Sequence, residues 1–83
     1  MPTIAIVDGV RIVMYWNDHA PPHFHALLAE HRAVIEIDAL TLVGGYLPKH
    51  KLRSVLKWAA SRQDALHAAW RNTQALRPSG TIE

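Results

Sequence analysis

The stretch His23-Phe24-His25-Ala26-Leu27-Leu28-Ala29-Glu30-His31-Arg32-Ala33-Val34-Ile35-Glu36-Ile37-Asp38 reads as a β-hairpin. Its arms are 23–29 and 32–38, and Glu30-His31 forms the turn. A symmetric turn there pairs Ala29 with Arg32, Leu27 with Val34, His25 with Glu36 and His23 with Asp38. The other face then joins Phe24 to Ile37, Ala26 to Ile35 and Leu28 to Ala33. Side chains alternate between faces with period two, so one face is wholly apolar and the other holds the polar groups. A slip of one residue would mix the faces. The expected product is two imidazole–carboxylate pairs side by side. Opposite charges on facing strands attract.

Upstream, Thr3–Val7 and Val10–Trp16 flank Asp8-Gly9. Asp-Gly between two β-branched, apolar runs signals a two-residue turn with positive φ at both positions. This register sets Val7 opposite Val10, Ala5 opposite Ile12 and Ile4 opposite Val13. Both faces are largely apolar, which predicts cover on both sides. Downstream, Leu42–Leu47 suggests a short fifth strand, with a bulge or bend at Gly44-Gly45. Pro48 opens a helix, and Leu52, Val55, Leu56 and Ala59 form one buried stripe. The stripe runs on through Leu66, Ala69, Trp70 and Thr73. One helix of that length would be long for so small a sheet, and Ser61-Arg62-Gln63-Asp64 resembles a helix start, so a break near Ser61 is expected.

The expected fold is therefore α+β: a small, mostly antiparallel sheet of four or five strands, then a C-terminal helical segment of two helices or one kinked helix. The 83 residues make one domain, with strands over 3–47, helices over 48–76 and a loose tail over 77–83. So short a chain buries only about 60% of its unfolded surface. Yet 49% of its residues are hydrophobic, and Trp58 and Trp70 exceed what five strands can cover. A homodimer or a small acidic partner protein is the expectation. No cysteine is present, which removes disulfides and thiolate chemistry and fits a reducing cytoplasm. Met1-Pro2-Thr3 leads straight into a β-like run without a basic-plus-apolar signal. No apolar stretch reaches the ~20 residues of a membrane span. A net charge of +2 and a pI near 9.4 permit RNA or an acidic protein as partner.

Asn17-Asp18-His19-Ala20-Pro21-Pro22-His23-Phe24-His25 concentrates three of the six histidines around a stiff Pro-Pro step. Three chemistries suit it. His23 and His25, with Glu36 and Asp38, could exchange protons on an RNA phosphodiester as a metal-independent ribonuclease needing no cofactor. Arg11, Lys49, Lys51 or Arg53 would then hold the phosphate or another anion. His19, His23 and His25 with Asp38, or with Asp18, could instead bind a divalent metal such as zinc in a small hydrolase. The same surface could serve as a non-enzymatic protein- or nucleic-acid-binding module. Either Tyr15 or Trp16 should support the loop.

Together, Met1-Pro2-Thr3-Ile4, Asp8-Gly9, Asn17-Asp18-His19, Pro21-Pro22-His23-Phe24-His25, Leu47-Pro48 and Leu52-x-x-Val55-x-x-Trp58 resemble the bacterial domain-of-unknown-function family four-one-six-zero. The resemblance runs from Met1 to about Trp70. It implies a small cytoplasmic protein and the toxin of a type II toxin–antitoxin pair, with a small antitoxin-like partner and RNA or translation as target. It carries over no catalytic roles. The chain departs from the family at Gln63–Leu76, which is alanine-rich rather than acidic.

Overall fold

The computed structural model describes residues 3–16 and 18–82. Met1, Pro2 and Asn17, three residues of the resemblance, lie outside the described residues. Five strands come first: β1 (Thr3–Val7), β2 (Val10–Val13), β3 (His23–Leu28), β4 (His31–Glu36) and β5 (Thr41–Gly45). Helices α1 (Lys49–Ala60) and α2 (Gln63–Gln74) follow. The strands form one antiparallel sheet in chain order, β1-β2-β3-β4-β5. The α+β expectation holds, with five strands and two helices.

The Asp8-Gly9 turn forms as expected, with φ of 51° and 80°. Val7 faces Val10 and Ala5 faces Ile12, but Thr3, not Ile4, faces Val13. The pairing shifts between Thr3 and Ala5, and the extra residue, Ile4, is fully buried. β2 stops at Val13, short of Trp16. Cover on both faces is also corrected: β1 is an edge strand, and Ile6 on it is 70% exposed.

The β3–β4 hairpin keeps its two faces but not its expected partners. His23 faces Glu36, His25 faces Val34 and Leu27 faces Arg32. The turn is Ala29-Glu30, one residue earlier than expected, and Ala29 takes φ 51°. Each residue of β3 thereby meets a partner two positions nearer the turn. A two-residue shift returns every side chain to the same face, so alternation could not exclude it. The expected neighbours His25–Glu36 and His23–Asp38 do not form, because the register puts Val34 opposite His25 and Glu36 opposite His23, and Asp38 lies beyond the end of β4. A second irregularity, between Val34 and Ile35, makes Val43 the extra residue between Leu42 and Gly44, one position before the bulge or bend expected at Gly44-Gly45.

Helices pack on the Phe24 face. Val55, Ala59, Leu66, Ala69 and Trp70 join Val10, Ile12, Phe24, Ala26, Ala33 and Ile35 in one core. Trp58 meets Phe24 edge to face, ring centroids 6.3 Å apart. Trp70 is buried within the single chain, so it supplies no reason for a partner. The exposed tryptophan is Trp16. Pro48 caps α1, and its carbonyl accepts from the Leu52 N–H. The break at Ser61 forms, but Ser61 closes α1 instead of capping α2: its Oγ donates to the Trp58 carbonyl at 3.1 Å. The tail is not loose along its whole length, since the Ile82 N–H donates to the Ile4 carbonyl at 2.7 Å and Ile82 packs on the core.

Candidate functional site

The polar face of β3 presents His23 and His25 two residues apart, and the loop after β2 brings Asp18 over them. Asp18 Oδ2 lies 2.8 Å from His23 Nε2 and 3.1 Å from His25 Nε2. The His19 N–H donates to Asp18 Oδ1 at 2.8 Å. Gln74 on α2 donates from Nε2 to the Asp18 carbonyl at 3.1 Å, tying the loop to the helical layer. His23 Nδ1 lies 2.8 Å from the Pro21 carbonyl. A carbonyl only accepts, so Nδ1 carries the proton of that bond. The Ala20–Pro21 peptide of this loop is cis.

Aromatic rings fix both imidazoles. Tyr15 meets His25, a β3 residue, edge-on, with centroids 4.5 Å apart. Trp70 lies 5.0 Å from His23. The side chains remain partly open, at 12% exposure for His23, 22% for His25 and 21% for Asp18. Partial burial pushes the Asp18 carboxyl up. Hydrogen bonds from His25, the His19 backbone and His23, and the charge of the His23 ring, outweigh that and bring it down to about 2. Asp18 is therefore a fixed anion with two imidazoles aimed at one of its oxygens.

The other expected site residues divide. Glu36 is the cross-strand partner of His23. Asp38 belongs elsewhere, with its Oδ1 2.7 Å from His67 Nε2 on α2. That contact places it with α2, apart from the Asp18–His23–His25 group. His19 is exposed and lies outside the three-residue group. Arg11 does share the histidine face: it pairs with Leu27, two residues along from Val13 opposite His25. Arg32 flanks Leu27 on the other side. Lys49, Lys51 and Arg53 sit on α1, which covers the opposite face of the sheet. Lys51 Nζ donates to the Asp8 carbonyl at 2.7 Å and lies 3.2 Å from its Oδ1, while Ser54 Oγ donates to Asp8 Oδ2 at 2.9 Å. The Ser54 hydrogen bond, and then that of Lys51, hold Asp8 below its usual range. Lys49 and Arg53 line a shallow groove of about 480 Å³ with Leu52, Leu56 and Lys57.

Asp18 is the residue the sequence underrated. It stands in the same short motif, but no rule of alternation reaches across a loop containing two prolines.

The structure is thus a small α+β domain with a His–His–Asp cluster on the face of its sheet opposite the helices, under the loop after β2. The chain matches the family model described as Domain of unknown function (DUF4160) over residues 9–71 and belongs to that family. Neither curated proteins nor solved structures give a match. Among the described residues, no helix is long and apolar enough to cross a membrane.

Proposed function

We propose that this protein acts on RNA as the toxin-like member of a cytoplasmic two-protein pair, with Asp18, His23 and His25 as its working centre. The observation that carries this reading is the convergence of both imidazoles on one carboxylate oxygen at a partly open place. RNA cleavage by its own 2′-hydroxyl needs that hydroxyl to lose a proton as its oxygen attacks phosphorus. The departing 5′-oxygen must gain one. His25, the more open ring, is the group offered to substrate: it takes the 2′-hydroxyl proton and returns it to the departing 5′-oxygen, while Asp18 and His23 position it. Arg11 and Arg32 on the same face supply cations for the phosphates. On the far side of the sheet, Lys49, Arg53 and Lys57 rim an apolar floor of Leu52 and Leu56, which suits a small acidic partner.

The test compares cells producing the chain alone with cells producing His25→Ala at equal soluble level. It is paired with incubation of purified protein and single-stranded RNA from about pH 5 to about pH 9. Growth arrest and cleavage that both vanish in the variant are expected. No cleavage at any pH, with growth arrest intact in the variant, would overturn the reading. The α1 groove would then favour the second one, a non-enzymatic binding module.

A further inference from the structure

We propose that Asp18, His23 and His25 form a three-ligand site for a divalent transition-metal ion. The ligand atoms would be Asp18 Oδ2, His23 Nε2 and His25 Nε2, which all lie within 4.8 Å of one another. Two imidazoles and one carboxylate, drawn from one short loop and the strand after it, are a donor set that zinc and ferrous ions share.

Two imidazoles converging on one carboxylate oxygen set this arrangement apart from a single carboxylate–histidine contact. Metal–nitrogen and metal–oxygen bonds of ~2.0–2.2 Å put neighbouring ligand atoms about 3.0 Å apart in an octahedral site and about 3.4 Å apart in a tetrahedral one. The observed separations from Asp18 Oδ2 are 2.8 and 3.1 Å. The two imidazole–carboxylate separations need to open by only a few tenths of an ångström to admit an ion, and the two Nε2 atoms lie within 4.8 Å of each other. Both rings present the same nitrogen, Nε2, to the shared point.

The surroundings of His23 carry the inference further. Its Nδ1 is held by the Pro21 carbonyl at 2.8 Å. A metal-bound histidine characteristically donates its other ring N–H to such an acceptor, which fixes the tautomer and leaves the far nitrogen's lone pair for the ion. Tyr15 and Trp70 brace the rings from outside, so ligand direction does not depend on the ion. Three protein ligands leave at least one coordination position for water or a phosphate oxygen.

This inference uses the same centre as the proposed RNA activity but is tested by binding. Protein stripped with a chelator is titrated with Zn²⁺ and with Co²⁺. Calorimetry should show one ion per chain, and Co²⁺ should give visible ligand-field bands. His25→Ala should lower affinity by more than the ~10–100-fold that loss of an outer partner costs. His67→Ala should leave it unchanged. A second measurement needs no variant: Co²⁺ should broaden the ring resonances of His23 and His25 in the unaltered chain and spare His31 and His67. No saturable binding of either ion would overturn the site, as would broadening centred on other histidines. An ion bound without RNA cleavage supports this site and removes the RNA reading. Cleavage in chelator by protein that binds neither ion does the reverse.

Discussion

His23 Nε2 lies 2.8 Å from Asp18 Oδ2, and that oxygen also faces His25 Nε2 at 3.1 Å. These contacts, with the His19 N–H, hold the Asp18 carboxyl at about 2 despite its partial burial. An unfolded Asp titrates near ~3.9. The folded value is the lower one, so the stabilisation is complete above roughly pH 4 and is lost as pH falls toward roughly 2. Urea unfolding across that window should show stability falling with pH in the native chain and a flatter profile in Asp18→Asn. At neutral pH the variant should be less stable by about 1–2 kcal/mol, for lost charge-assisted hydrogen bonds. Equal acid slopes in the two proteins would contradict this.

Ala29 holds φ 51° in the β3–β4 turn, a conformation that costs a side-chain-bearing residue. Ala29→Gly should remove that cost, partly offset by the freer unfolded chain, for a gain of about 0.5–1 kcal/mol. Thermal melts should show a rise of a few degrees. A fall would mean that the turn is centred elsewhere, as at the Glu30-His31 position expected from sequence.

Gly45 and Gly80 offer a contrast. Both have positive φ, 75° and 74°. A Cβ at Gly45 would run into the Arg32 carbonyl, the acceptor for the Tyr46 N–H, whereas one at Gly80 would meet nothing within 4 Å. Gly45→Ala should cost about 2–4 kcal/mol, and Gly80→Ala about 1 kcal/mol, the backbone strain alone. Similar midpoints in chemical denaturation would refute the close approach of β5 to β4.

The Asp38–His67 contact is a surface hydrogen bond between the turn after β4 and α2. His67→Ala should change stability by less than about 1 kcal/mol and leave growth inhibition and RNA cleavage intact. If it abolished them while the protein stayed folded, the functional centre would lie nearer Asp38, as the sequence alone suggested.

Much of the fold is legible in the sequence. Asp8-Gly9 specified its turn because few residues accept two successive positive φ angles. Phe24, Ala26, Ala33 and Ile35 identified the core face because side chains alternate along a strand. Leu52, Val55, Leu56 and Ala59 located α1, and the helical run broke beside Ser61 as expected. These are local properties, set by backbone sterics and by the periods of strand and helix. Which carboxylate meets the histidines was not local. A register shift of two residues leaves every face unchanged, so Glu36 and Asp38 fitted the pattern, although Glu36 faces His23 instead of His25 and Asp38 meets His67. Asp18 reaches His23 and His25 only because the Pro21-Pro22 loop folds back over β3 and Gln74 ties it to α2. The sequence by itself determined the faces of the sheet. The partner of the histidines was decided by the closure of that loop against a helix 56 residues away in the chain, a tertiary contact that no local period encodes.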